Sequence, residues 1–192
     1  MIRALYDWTM RLADHPRALR ALGVVSFVES SFFPIPPDVL MIPMIIARPS
    51  RAWVIATVAL VTSVLGGVLG YVIGALLWDT VGQPILEIYG KTAAASDFAA
   101  RFNEYGAWAV LFAGVTPFPF KVITIMSGWT GMSLPIFIAS AIVARGIRFF
   151  VVAGLLWQFG APMRGFIERR LGLLFTLFMI LLIGGFALVK YL

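Results

Sequence analysis

The chain has 192 residues, 61% of them hydrophobic and 12% charged, with a mean hydropathy of +0.96. Soluble globular domains carry about 25% charged residues, so this composition excludes an ordinary soluble domain, and apolar runs of bilayer length place the chain among polytopic membrane proteins. The formal net charge of +6 lies mainly in short segments between those runs, which suits membrane topology and anionic lipid surfaces and argues against nucleic acid.

Residues 1–20 fit an amphipathic interfacial helix, with Ile2, Leu5, Tyr6, Leu12 and Ala13 on one side and Arg3, Arg11 and Arg17 toward headgroups. The first apolar run begins near Ala21 without a small-residue cleavage site, so no removable signal peptide is expected. Residues 21–47 are apolar but broken by Pro34, Pro36 and Pro37. Each piece, of about ten residues, reaches ~15 Å, half of a ~30 Å hydrocarbon core. This predicts a re-entrant hairpin, whose unpaired tip backbone is tolerated only among protein or water. Residues 52–78 form a full span. A polar, interfacial segment follows over 79–106, and residues 107–130 form a second hairpin broken at Pro117 and Pro119. A second span covers 134–157, and a basic loop (Arg164, Glu168, Arg169, Arg170) leads to a last span at 173–189.

The sequence repeats itself. Pro34-Ile35-Pro36-Pro37-Asp38 matches Pro117-Phe118-Pro119-Phe120-Lys121 at an offset of 83. Ala75-Leu76-Leu77-Trp78 matches Gly154-Leu155-Leu156-Trp157 at 79, and Gly82-Gln83-Pro84 matches Gly160-Ala161-Pro162 at 78. The expected fold is therefore an all-α integral membrane protein with two repeats, each a re-entrant hairpin plus a transmembrane helix. The N-terminal amphipathic helix and a C-terminal transmembrane helix lie outside the repeats. One crossing per unit makes the repeats inverted. Arg3, Arg11, Arg17, Arg20, Arg48, Arg51, Arg164, Arg169 and Arg170 favour a cytoplasmic N-terminus over Lys91, Arg101 and Lys190 outside. Fully crossing hairpins would give the same count, so charge bias does not choose between the two topologies.

Five ionisable residues lie inside the apolar segments. Glu29, in FVESSFF, must be paired, wet or protonated there; it serves either transport or a structural pair. Asp38 opens the second half-helix, where it can cap free N–H groups, transport, or both. Lys121 holds the matching place in the second hairpin and opposes the helix dipole; it either builds a phosphate site with the half-helix N–H groups or snorkels or pairs with Glu29 or Asp38. Arg145 and Arg148 share a helix face. Arg145 is near the middle of its span, where a charge costs ~3 kcal/mol on insertion scales and calls for a partner such as Glu29 or Asp38. If all five face one cavity, one positive charge is left for an anionic phosphate, and protonation of Glu29 offers a route to proton coupling. Gly66, Gly70 and Gly74, four apart, read as a helix-packing face. Trp53, Trp78, Trp129 and Trp157 read as interfacial anchors, and Ser30, Ser31 and Thr116 as polar lining or partners for broken backbone. With no cysteine and a single histidine, His15, no metal, cofactor or catalytic residue is expected, and the chain reads as a non-enzyme.

Glu29 with Pro34-x-Pro36-Pro37-Asp38, Thr116-Pro117-x-Pro119, Gly128 and Arg145-Gly146-x-Arg148 resemble the DedA (VTT-domain, SNARE-associated) membrane proteins, nearest their small YqaA-type branch. The resemblance covers roughly 21–157. It implies two re-entrant hairpins, a bacterial inner-membrane location, and lipid translocation in membrane homeostasis, with undecaprenyl phosphate and phospholipids as substrate classes and proton dependence. It also places the first hairpin's two acidic positions at Glu29 and Asp38. Many members carry two arginines around the second hairpin's proline, where this chain has only Lys121. The leading expectation is a flippase or scramblase for an anionic phospholipid or polyprenyl-phosphate headgroup. Its partners would be membrane lipids and protons, and it is open to homo-oligomerisation. A small-ion or proton-coupled solute transporter and a non-transporting membrane scaffold are the rivals.

Overall fold

The computed structural model describes residues 17–32, 35–88, 92–116 and 118–160. Most of the expected N-terminal helix, Pro34, Pro117 and the span 173–189 lie outside the described residues. Every regular element among the described residues is helical: α1 (Ala18–Ser31), α2 (Asp38–Ala47), a 3-10 turn (Pro49–Arg51), α3 (Ala52–Leu77), a π turn (Trp78–Gly82), α4 (Gln83–Ile88), α5 (Thr92–Val115), α6 (Phe120–Trp129) and α7 (Leu134–Gly160).

Proline chemistry sets the short elements. α2 starts behind Pro36 and Pro37, and α6 behind Pro119, because proline fixes φ and needs no N–H partner at a helix start. α6 ends where Gly131 takes φ 68°, a left-handed conformation favoured by glycine. At 14 and 10 residues, α1 and α2 reach only ~21 and ~15 Å. The segments Pro49–Leu77 and Leu134–Gly160, with mean hydropathy 2.1 and 2.0, are long and apolar enough to cross a bilayer. One expected boundary is displaced: α5 is continuous from Thr92 to Val115, so the division between 79–106 and 107–130 falls inside a helix. The polar first half of α5 carries on into the apolar second half with no proline or loop to stop it.

α3 is the axis of the packing. α1 runs beside its first half, where Ser26 Oγ donates to the Ala59 carbonyl at 2.8 Å and Ser31 Oγ to the Gly66 carbonyl at 2.9 Å. α6 runs beside its second half, with Thr124 against Gly70 and Ile125 against Gly74. The start of α6 meets the end of α1 at the middle of α3, where Thr124 Oγ1 donates to the Ser30 carbonyl at 3.0 Å. Backbone-to-backbone closeness makes this possible. A Cβ added at Gly66 would strike the Phe27 backbone, one at Gly74 the Ile125 backbone, and one at Gly128 the Tyr71 backbone. Small residues at such contacts are how apolar helices gain dispersion contact inside a membrane. α7 runs antiparallel to α3, with Phe137 beside Gly67 and Phe150 stacked on Trp53.

Two apolar clusters result. One gathers Ala18, Leu22, Met41, Ile45, Ile55 and Phe149, the other Val110, Phe120, Ile123, Phe137 and Ala141. The buried Arg145 touches both, lying over Phe149 of the first and Phe120 of the second.

Candidate functional site

The polar belt is built on Arg145, the twelfth residue of α7. Its guanidinium is 2% exposed, and its position halfway along an apolar helix leaves no route to an interface. The surroundings satisfy it instead. Nη2 donates to Glu29 Oε2 at 2.8 Å and Nε to Ser63 Oγ at 2.7 Å. It lies over the Phe120 and Phe149 rings, with Cζ 4.8 and 4.6 Å from the centroids, within the range of cation–π attraction. Ser63 Oγ also lies 2.7 Å from Ser30 Oγ, which donates to Glu29 Oε2 at 3.1 Å. Glu29, Ser30, Ser63 and Arg145 thus close a small hydrogen-bonded circuit joining α1, α3 and α7.

One turn further along α7, Arg148 makes a second and more open set of contacts. Nη2 donates to Asp38 Oδ2 at 2.7 Å and Nη1 to the Thr116 carbonyl at 2.6 Å. Arg148 is 16% exposed and Asp38 18%, so this pair is wetter than the Arg145 end of the first. Arg148 therefore ties together the tips of both broken segments, the start of α2 and the end of α5. Asp38 is the first residue of α2, and no side-chain cap hydrogen bond is made at that end; its carboxylate turns to Arg148 while still enjoying the positive end of the helix dipole. The Thr116 hydroxyl is buried without a partner among the described residues.

Of the five ionisable residues, four are drawn together as two acid–arginine pairs. Both acids come from the first broken segment and both arginines from α7. Lys121, on the first turn of α6, is half-buried and pairs with neither Glu29 nor Asp38; no ion pair reaches it among the described residues. Pro36, Pro37 and Pro119 sit at the helix starts described above.

Sequence reasoning missed Ser63, the shared hinge of the circuit, and the contacts of Arg145 with the Phe120 and Phe149 rings. The available signal for Ser63 was a hydroxyl near the middle of an apolar span, one of three there with Thr57 and Thr62, since such a group must find a partner. The phenylalanines carried no signal, because an aromatic in an apolar run reads as packing.

A family model described as the VTT domain matches residues 11–158. An uncharacterized protein of Haemophilus influenzae is 39% identical over 168 residues, covering 85% of this chain and 87% of its own. A protein of Histophilus somni is equally similar over the same length. An uncharacterized membrane protein of Mycobacterium leprae is 26% identical over 153 residues, covering 77% of this chain and 65% of its own. No solved structure matches. The matched stretch takes in α1 to α7, with both acid–arginine pairs inside it, and the chain belongs to the VTT-domain (DedA) family of membrane proteins.

Proposed function

We propose that the protein is a lipid transporter, a flippase or scramblase that passes an anionic phosphate headgroup between leaflets through the polar belt while the acyl chains stay in the bilayer. The observation that carries this reading is the charge inventory. Two carboxylates pair with two arginines, and Lys121, which follows the Phe120 whose ring lies under Arg145, is a cation that neither carboxylate pairs with. A phosphate can take that charge, accept from the N–H groups at the start of α6, and bond the unpartnered Thr116 hydroxyl.

In this reading the two arginines differ in role. Arg145 is buried, donates to Ser63 and Glu29 and lies over two aromatic rings, and it holds α1, α3 and α7 together. Arg148 is the exchangeable group, since a headgroup oxygen can replace Asp38 at its accessible guanidinium. Protonation of Glu29 or Asp38 would then favour the anion, giving proton coupling a physical route.

The membrane arrangement belongs to the same proposal. α1 ends at the level of Ser63 and Gly66, halfway along α3, and α6 begins there. That geometry supports two re-entrant hairpins entering from opposite faces, as inverted repeats do. Arg17, Arg20, Arg48 and Arg51 are exposed at one end, which supports that end as cytoplasmic in a bacterial inner membrane.

The test is transbilayer movement of labelled phosphatidylglycerol and polyprenyl phosphate in proteoliposomes, for wild type and for Lys121→Gln and Arg148→Gln. The expected result is movement by wild type that falls at least about tenfold in either variant, as loss of a charge-assisted hydrogen bond of ~1.5–3 kcal/mol requires. Wild-type protein that moves neither lipid, at any pH or ion gradient, overturns the proposal.

A further inference from the structure

A second feature lies outside the polar belt, on the side of α1 turned away from α7. Between α1 and the first half of α3 runs an open groove of about 510 Å³, lined by Leu19, Arg20, Gly23, Val24, Phe27, Val58 and Thr62. Its existence follows from Gly23. With no side chain there, the nearest atoms to a would-be Cβ are the Thr62 methyl at 3.3 Å and Val58 Cγ1 at 3.7 Å. The Thr62 hydroxyl is turned back onto its own helix, donating to the Val58 carbonyl at 2.7 Å, so the groove asks for no polar partner along its length. From Leu19 to Phe27 it runs ~12 Å at 1.5 Å per residue, close to the depth of one leaflet's hydrocarbon.

The outer end of the groove is different in kind. Arg20 lines the groove and is exposed, as a long basic side chain with an apolar stem and a charged head allows. Arg17, Arg48 and Arg51 are exposed at the same end of the molecule, because Ala18, Ile46 and Ala52 share one apolar cluster there. An apolar slot of leaflet depth capped by cations matches one occupant: a phospholipid with an anionic headgroup, its chain against Gly23 and Phe27 and its phosphate at Arg20. We infer that this groove is a binding site for an anionic phospholipid of the leaflet that holds the ends of the first hairpin. The inference is independent of the transport reading, since it uses none of the polar-belt residues.

The experiment is native mass spectrometry of the full chain, released from detergent after incubation with equal amounts of dioleoyl phosphatidylglycerol and dioleoyl phosphatidylcholine. Glycerophosphate serves as a headgroup-only probe. Wild type should retain phosphatidylglycerol in preference to phosphatidylcholine and should not retain glycerophosphate. Arg20→Gln should lower that retention about fivefold, the effect of one basic residue at an anionic surface, and Arg20→Lys should restore most of it. Gly23→Leu, which fills the groove, should abolish it. Equal retention of the two lipids by wild type, or full retention by Arg20→Gln, overturns the inference, and the latter holds even if Gly23→Leu fails to fold. The native chain has no cysteine, so disulfide trapping from Val58→Cys tests the other occupants cleanly. A disulfide to a single cysteine placed within 173–189, or between two copies of the Val58→Cys protein, would show the groove filled by protein and overturn the lipid site.

Discussion

At the scale of single residues, burial separates two arginines that the sequence presents as equivalent. Arg145 is enclosed and paired with Glu29, so its removal leaves that carboxylate without its cation. Truncating one member of a buried pair costs about 3–5 kcal/mol, whereas replacing both with neutral groups of similar volume is often tolerated. Arg145→Ala is therefore expected to lower stability in detergent by that amount, and Glu29→Gln with Arg145→Met to recover most of it, as read by chemical denaturation of all members of the cycle. An Arg145→Ala protein as stable as wild type would show that the circuit with Ser63 and Ser30 does not hold the fold together. Much of this pairing was legible: charges inside apolar runs demand partners, and the inventory of two acids and three bases could be read directly. Which acid meets which arginine was not legible, because it depends on how far α1 and α7 overlap along α3, a relation between segments over a hundred residues apart.

At the scale of elements, the broken helices were readable because proline acts locally, and the glycine spacing on α3 because a period of four marks one helix face. The start of the second broken segment was harder. α5 crosses the change from polar to apolar sequence at residue 106 without a stop, since composition can change along a helix that still satisfies its own backbone. Gly128 also gained its meaning only from the structure: a Cβ there would meet the Tyr71 carbonyl and the Ala75 nitrogen. These are backbone atoms that cannot rotate aside. Gly128→Ala should therefore destabilise by about 1–3 kcal/mol, the usual range for overpacking, seen as a lower thermal midpoint in detergent, and a midpoint equal to wild type would mean that α3 and α6 are not in such close contact.

At the scale of the whole molecule, the meeting of the end of α1 with the start of α6 at the middle of α3 makes a topological prediction that charge counting could not. If both hairpins are re-entrant, Gln83 and Ser133 lie on the same side of the membrane; if both cross fully, they lie on opposite sides. Single cysteines at these positions in the cysteine-free chain should both react with a membrane-impermeant maleimide added from one and the same side, and labelling of only one from that side would exclude the re-entrant topology. The same meeting point has a consequence for how this gene can vary. Gly66 is turned to α1 and Gly74 to α6, so their angular phase on one continuous helix sets where those two helices stand. A single codon gained or lost between them would turn everything beyond by ~100° and point one of the two faces into lipid. Length drift among descendants of this chain should accumulate in the connections, while the eight-residue interval from Gly66 to Gly74 stays constant in length even where its other residues change.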